Sequence, residues 1–258
     1  MTEDAFLGGA LRILQPKEGY RAGVDAVLLA AALPAPGAGT IRVLDIGAGV
    51  GVVGLAVARR IPGALVTLVE RDAVTAQLAR ANCERNGLSE RVRVIEADLS
   101  RPLAELAALN AETETFDCVL ANPPYHSEGR GTAAGDATKA AANAMPEGSL
   151  ARWARFMAAM ARPRGAAIVI HKAEALAEVL RALDGRFGAL KVLAVHARPT
   201  TAATRVLVSG IKSSRGPLQV LPALTLHDAE GGFRPDIEAI LRRGAALDML
   251  GRPKGSSG

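Results

Sequence analysis

Val43-Leu44-Asp45-Ile46-Gly47-Ala48-Gly49-Val50-Gly51 is the stretch of sequence around which the predicted fold is arranged. Its first half continues an apolar run that starts at Ile41, and such a run is typical of a strand buried on both faces of a parallel sheet. Three glycines at alternate positions predict a tight turn, and the apolar pattern that continues to Arg60 predicts a helix. A strand, a glycine turn and a helix in succession indicate an α/β fold.

The same alternation of apolar runs and helical patterns continues along the chain. Further strands are predicted at 65–70, 92–95, 116–121, 166–170, 190–196 and 204–211, and helices at 26–33, 73–86, 150–160 and 172–183. The short connection between the last two strands leaves no room for a crossover helix, so these strands should be antiparallel. We therefore predict a Rossmann-like α/β fold with a seven-stranded, mostly parallel sheet and an antiparallel last strand.

The flanking segments divide the chain into three parts. Residues 41–212 hold the predicted α/β domain, residues 1–40 form an N-terminal segment, and residues 213–258 form a tail with a short helix at about 235–243. Residues 1–10 carry little signal and are expected to fray, as is the terminal Gly-Ser-Ser-Gly of 255–258. The segment 126–146 is long and poor in large apolar residues, which is typical of a lid or a substrate loop.

Polar residues stand at the ends of the first four predicted strands of the domain. Asp45, Glu70 and Asp98 follow three of these strands, and Asn122 follows the fourth. Because ligands of open α/β sheets bind outside the carboxyl ends of the strands, we expect these side chains to line one crevice. Each acid taken singly has an ordinary alternative as a helix N-cap or a solvated surface group.

The stretch Asn122-Pro123-Pro124-Tyr125 ends the fourth strand abruptly, because proline donates no ladder hydrogen bond. The Asn122 side-chain oxygen and a proline-flanked backbone carbonyl suit the two hydrogens of a planar amine. Tyr125 can stack on the ring or amide plane that carries the amine. The alternative is an ordinary strand-to-loop turn capped by Asn122.

Charge, cysteine and histidine content restrict the function classes. The 258 residues carry a formal net charge of +5, which is compatible with a polyanionic partner but also with many proteins that bind none. The two cysteines and four histidines are scattered, so no metal site is expected. The absence of a membrane-length apolar run and of a basic start at Met1 predicts a cytoplasmic protein.

Two interpretations of the glycine turn remain at this point. Gly49, Gly51 and Gly54 match the dinucleotide fingerprint, with Glu70 placed 21 residues after Gly49 as a ribose-binding acid. In the other interpretation, Asp45 belongs to the turn together with the glycines, a pattern that resembles S-adenosylmethionine-dependent methyltransferases. A nicotinamide reductase, however, would have no use for the Asn-Pro-Pro-Tyr stretch.

Three stretches together resemble the small-domain methyltransferases that carry an NPPY motif, and within them the bacterial tRNA1(Val) adenine-37 N6-methyltransferases. They are residues 15–30, 43–51 and 121–125, and the tail at 218–240 also looks similar. The resemblance implies S-adenosylmethionine as cofactor and tRNA as partner. It also implies roles for thirteen residues: Gly23 and Asp25 closing over the cofactor; Asp45, Gly47, Gly49 and Gly51 at its methionine end; Glu70, with Arg71 beside it, at the ribose; Asp98 at the adenine; and Asn122, Pro123, Pro124 and Tyr125 at the target amine, with Asn122 also beside the cofactor.

The function implied is methyl transfer to an exocyclic amine, most plausibly N6 of an adenine in tRNA. A protein-glutamine N5-methyltransferase of the release-factor type is the alternative, although such enzymes usually carry an N-terminal helical domain for which about 40 residues before Asp45 are too few. A non-enzymatic, cofactor-binding RNA module is a third possibility. Arg21, Arg130 and Lys139 are candidates for phosphate contacts, with surface solvation as the alternative for each.

Overall fold

The computed structural model describes residues 1–18, 21–35, 39–127, 144–145, 149–247 and 249. Arg130, Lys139, residues 255–258 and most of the segment 126–146, for which roles are predicted above, lie outside the described residues. The strands are β1 Thr2–Phe6, β2 Leu11–Gln15, β3 Ile41–Ile46, β4 Ala64–Glu70, β5 Val92–Glu96, β6 Phe116–Ala121, β7 His126–Ser127, β8 Ala144–Met145, β9 Ala161–Lys172, β10 Phe187–His196, β11 Ala203–Lys212, β12 Gln219–Val220 and β13 Leu224–Thr225. The helices are α1 Val24–Ala31, α2 Val52–Arg60, α3 Ala73–Arg85, α4 Ala107–Asn110, α5 Ser149–Met160, α6 Leu176–Leu183 and α7 Pro235–Arg243.

The main sheet has the strand order β5-β4-β3-β6-β9-β11-β10. The first five of these strands are parallel, and β11 is antiparallel to both β9 and β10. This arrangement confirms the predicted α/β class with its antiparallel strand. The order reverses direction between β3 and β6, so the crevice outside their carboxyl ends is the topological switch point where such folds bind ligands.

Helices cover both faces of the sheet because alternate strand residues point to opposite sides. Val43, Val66 and Leu120 pack with α1, α2, α3 and α7 on one face. Leu44 and Val119 pack with α5 and α6 on the other. Within the described part of the chain, no helix combines the length and the apolar character that crossing a membrane requires.

The sheet has nine strands in the described structure rather than the predicted seven. The two additions are β12 and β13, which both pair parallel with β10 at the edge of the sheet. Each has two residues, and such a short piece gives no periodicity that a sequence pattern can reveal. Part of the predicted tail therefore extends the sheet.

The expectation that residues 1–10 fray is wrong. β1 pairs antiparallel with β2, and Leu11 and Ile13 of β2 are fully buried in the core. The hairpin is held by α3 through Asn82, whose Oδ1 accepts from the Leu14 N–H at 2.8 Å and whose Nδ2 donates to the Leu14 carbonyl at 3.1 Å. Side-chain amides thus take the place of a neighbouring strand, a pairing that residue periodicity does not reveal.

Asn82 also joins the hairpin to the glycine turn, because its Nδ2 donates to the Val50 carbonyl at 3.0 Å. We expect Asn82→Ala to lower the free energy of unfolding by about 3 kcal/mol, since two partly buried groups of Leu14 and the buried Val50 carbonyl lose their partner at once. Asn86→Ala is the matched control, because Asn86 makes the same pair of bonds to Arg12 at an exposed position. In urea unfolding, Asn86→Ala should lower the free energy of unfolding by about 1 kcal/mol. Equal decreases for the two variants would contradict a special role of Asn82.

Candidate active site

The glycine turn after β3 forms the first wall of the candidate site. Gly47, Gly49 and Gly51 have φ angles of +63°, +56° and +92°, values that side-chain-bearing residues rarely adopt. A Cβ at Gly47 would lie 2.4 Å from the ring of Trp153, whereas a Cβ at Gly49 would meet no atom within 4 Å. The turn is therefore closed on the side of Trp153 and open above Gly49, where a ligand can approach the backbone.

Glu70, at the end of β4, connects the glycine turn to the neighbouring loop. Its Oε2 accepts from the Gly49 N–H at 2.9 Å, and its Oε1 accepts from the N–H groups of Arg71 and Asp72 at 2.8 and 3.0 Å. A carboxylate has about four lone-pair directions, so these bonds leave room for ligand hydroxyls. The structure thus places Glu70 beside Gly49 at the crevice, and its ribose contact stays a prediction.

Asp45 lies beneath the glycine turn rather than on its open side. The residue is 1% exposed, and its Oδ2 accepts from the Gly54 N–H in the first turn of α2 at 3.0 Å. Burial raises the pKa of Asp45 to about 7, opposed by the Gly54 hydrogen bond and assisted by the charge of Glu70. Asp45 therefore supports the turn from below, while its predicted contact with the methionine end of a cofactor stays a prediction.

A cleft of about 360 Å³ opens beside the ends of β4 and β5. Asp98 stands in its wall and accepts from the Ser100 N–H and Oγ–H, both at 2.8 Å; the backbone bond from Ser100 holds the pKa of this carboxyl below its ordinary value. The cleft thus has a mixed lining, in which three carboxylates and two arginines stand among apolar side chains. Its lining includes Arg71, Ile95, Ala97, Asp98, Leu106 and Leu109.

The Asn122-Pro123-Pro124-Tyr125 stretch follows β6, across the switch point from the glycine turn. Pro123 is buried, and Asn122, Pro124 and Tyr125 are partly exposed. The Tyr125 hydroxyl lies 2.7 Å from Asn122 Oδ1 and 2.9 Å from Asp25 Oδ2. The structure therefore brings Asp25 of the N-terminal segment to the predicted amine site.

Asp25 is not the N-cap of α1, although an aspartate just before an apolar helical pattern commonly has that role. The N-cap is Gly23, no side chain caps this helix, and Asp25 lies in its first turn. The carboxylate instead faces Tyr125 and Arg205, where its Oδ2 accepts from Arg205 Nε at 2.8 Å. Gly23 is exposed one residue before α1, and its predicted contact with a cofactor stays a prediction.

Arg205 and His171 complete the surroundings of Tyr125, and the sequence analysis missed both. The Arg205 guanidinium carbon lies 4.9 Å from the centroid of the Tyr125 ring, and the His171 ring meets it edge-on at 5.2 Å. Burial opposes the charge of Arg205, but the hydrogen bond and charge of Asp25 outweigh it and raise the pKa of the guanidinium. Burial also lowers the pKa of His171, which favours its neutral form.

The topology contains a signal that would have found these two residues. His171 stands near the carboxyl end of β9, and Arg205 near the amino end of the antiparallel β11. Both positions fall on the same edge of the sheet as the end of β6. Arg21, a candidate for phosphate contact, donates to Asp4 Oδ1 at 2.7 Å, and its phosphate contact stays a prediction.

The family model of the methyltransferase small domain matches residues 22–154, about half of the chain. The chain belongs to this family. The matched range of this small-domain methyltransferase contains the glycine turn, Glu70, Asp98 and the Asn122–Tyr125 stretch, but neither His171 nor Arg205.

Relatives and solved structures agree with the family. The crystal structure of a predicted O-methyltransferase from Agrobacterium tumefaciens is 32% identical with a TM-score of 0.71, covering 87% of this chain and 98% of that one. The tRNA1(Val) (adenine(37)-N6)-methyltransferase of Porphyromonas gingivalis is 35% identical over 127 residues, 48% of this chain and 49% of the relative. The release factor glutamine methyltransferase of Gloeobacter violaceus is 43% identical over 84 residues, 33% of this chain and 27% of the relative. The chain thus spans about half or less of the curated relatives it matches.

Membership of the small-domain family implies S-adenosylmethionine as the cofactor, and the residues at the switch point fit it. The open backbone above Gly49 accommodates a ligand without a side-chain clash. Glu70 offers carboxylate oxygens at the same turn, and the cleft beside Asp98 combines apolar side chains such as Ile95 and Leu106 with an acceptor for an adenine amine. The dinucleotide interpretation of the glycine turn is therefore set aside.

Proposed function

We propose that this chain methylates an exocyclic amine, namely N6 of an adenine in tRNA, with S-adenosylmethionine as methyl donor. The observation that carries the proposal is the placement of Asn122 opposite the glycine turn. The two lie at the ends of β6 and β3, neighbouring parallel strands on either side of the switch point. A methyl donor held at the turn and an amine held at Asn122 would therefore share one crevice.

The protein contributes alignment and hydrogen-bond acceptors to this reaction. Asn122 Oδ1 has two lone pairs, so it can accept an amine N–H beside the Tyr125 hydroxyl at 2.7 Å. A backbone carbonyl of the Pro123-Pro124 segment would accept the second amine hydrogen. With both hydrogens held, the nitrogen lone pair is directed out of the base plane toward the donor.

S-adenosylmethionine, when bound, supplies the electrophilic methyl group. Glu70 and Asp98 would hold its ribose and adenine, and Gly47, Gly49 and Gly51 would allow it to approach the backbone. The amine becomes acidic only after it gains the methyl group, so attack needs no general base beforehand. Alignment by the turn and by Asn122 is therefore the main catalytic contribution of the chain.

The choice of tRNA over a protein acceptor rests on the comparisons and on charge. The match to the tRNA adenine-N6 methyltransferase extends over 127 residues, against 84 for the release factor glutamine methyltransferase. The net charge of +5 is compatible with a polyanionic substrate, and an adenine in a single-stranded loop can enter a rim pocket because it has no base pair to break. A tRNA substrate implies that the protein acts in the cytoplasm. Residues 1–40 would close over the cofactor, residues 41–212 would carry out the transfer, and residues 213–258 would form a tail with a short helix.

Methyl transfer from labelled S-adenosylmethionine tests the proposal. The purified chain is incubated with unmodified bulk tRNA and, separately, with unmodified release factor, and labelled products are identified by mass spectrometry. We expect N6-methyladenosine from the tRNA and no labelled glutamine from the release factor. Label in the release factor alone would refute tRNA as the methyl acceptor. Binding of S-adenosylmethionine without methyl transfer to tRNA or to release factor would refute the enzymatic function.

A further inference from the structure

One oxygen of Asp25 lies within hydrogen-bond distance of two groups that can donate. Asp25 Oδ2 lies 2.9 Å from the Tyr125 hydroxyl and 2.8 Å from Arg205 Nε. The same hydroxyl lies 2.7 Å from Asn122 Oδ1. A phenol carries a single proton, so Tyr125 can donate to Asp25 or to Asn122 but not to both at once.

Arg205 influences which of the two acceptors, Asp25 or Asn122, receives the Tyr125 proton. A carboxylate is a stronger acceptor than a side-chain amide, so an uncompensated Asp25 would attract the phenol proton. Arg205 donates to the same oxygen and neutralises its charge, which favours donation from Tyr125 to Asn122. The guanidinium also lies over the Tyr125 ring, 4.9 Å from its centroid, and restrains the ring on that face.

We propose that Arg205 is a positioning residue that acts through Asp25 and Tyr125 to fix the side-chain amide of Asn122. Donation from Tyr125 holds Oδ1 of Asn122 in one orientation. The expected effect of Arg205 on turnover rests on the proposed function, whereas its expected effect on the distance between Tyr125 and Asn122 does not.

The position of β11, which carries Arg205, depends on backbone pairing and not on the Arg205 side chain. β11 is paired along its length with β9 on one side and with β10 on the other. Arg205 is partly exposed, so its removal leaves no closed cavity in the core. A loss of activity in an Arg205 variant can therefore be separated from unfolding.

The first test compares Arg205→Ala and Arg205→Lys in the wild-type and Tyr125→Phe backgrounds, by methyl transfer to tRNA. Arg205→Ala should lower kcat about 30-fold with the Kd for S-adenosylmethionine within about threefold. Arg205→Lys should recover part of the loss, because it keeps a cation beside Asp25 but lacks the planar group that lies over the Tyr125 ring. In the Tyr125→Phe background, Arg205→Ala should cost no more than about threefold further, because the hydroxyl through which it acts is already gone. If Arg205→Ala lowers kcat as strongly in the Tyr125→Phe background as in the wild type, the proposal is overturned.

A crystal structure of Arg205→Ala provides the second test and needs no turnover. The distance between the Tyr125 hydroxyl and Asn122 Oδ1 should exceed about 3.5 Å, the limit of a hydrogen bond; an unchanged distance would overturn the proposal. Arg242→Ala is the control, because it removes an arginine from an exposed ion pair with Glu238 on α7 and should leave kcat unchanged. A wild-type chain that methylates neither tRNA nor release factor would refute the proposed function, while the crystal structure would still decide the role of Arg205.

Discussion

Replacing Asn122 by alanine should reduce methyl transfer by at least about a thousandfold while changing the Kd for S-adenosylmethionine by less than about fivefold. The reason is that the variant loses the acceptor that would hold one amine hydrogen, whereas the glycine turn, Glu70 and Asp98 remain in place. Rates are measured in single-turnover reactions with labelled cofactor, and affinity by calorimetry on the same preparations.

Two further variants make this result specific. Asn110→Ala removes an exposed asparagine from α4 and should leave the single-turnover rate unchanged. Asn122→Asp keeps the shape and an acceptor oxygen but adds a charge, and we expect it to retain more activity than alanine. Near-full activity of Asn122→Ala would refute the proposed amine site.

The contribution of Asp45 to the stability of the protein should decrease as pH rises from about 4 to about 7. Its pKa in the folded chain is about 7, against an ordinary value of 3.8. Between these values the folded chain binds one proton more than the unfolded chain, so raising the pH favours unfolding. By linkage this contribution is on the order of 4 kcal/mol over the whole interval.

The measurement is urea unfolding of the wild type and of Asp45→Asn at pH 5 and pH 8. Asparagine keeps an oxygen acceptor for the Gly54 N–H and does not titrate, so the wild type should lose stability relative to the variant as the pH rises. Asp72→Asn is the control: the Thr75 hydrogen bonds lower the pKa of Asp72, so its titration lies below this pH range. A difference between wild type and Asp45→Asn that is equal at both pH values would contradict the prediction.

The sequence was sufficient for those features that depend on periodicity and on strand ends. The apolar runs located β3, β4, β6 and the antiparallel β11, and the rule that ligands bind at carboxyl strand ends placed Glu70, Asp98 and Asn122 on one edge. Side-chain direction was not accessible in this way. Asp45 is buried at the end of β3 and cannot reach water, so its carboxylate accepts from the Gly54 N–H in the first turn of α2, below the glycine turn.

Contacts between segments far apart in sequence were the second kind of feature that the sequence did not predict. The β1–β2 hairpin depends on the side-chain amides of Asn82 and Asn86, which look like ordinary polar residues of a helix. Arg205 looks like an exposed residue at the start of a strand, and only the three-dimensional pairing with Asp25 shows its place at the site. Periodicity reports which face of an element is buried, and gives no information on which distant partner a polar group meets.

The pairing of Asp25 with Arg205 also determines when the site is complete during synthesis. The two residues are separated by 180 positions in the chain, and Asp25 and Tyr125 by 100. A nascent chain emerges from the ribosome N-terminus first, so Asp25 is exposed well before β11 has been made. Glu70 and Asn82, which hydrogen-bond to the glycine turn, lie within the first 82 residues, but the Asp25–Tyr125–Arg205 contacts must wait for the last long strand. A nascent chain that stops before β11 would therefore contain the turn, Glu70 and Asp98 while lacking an ordered amine site.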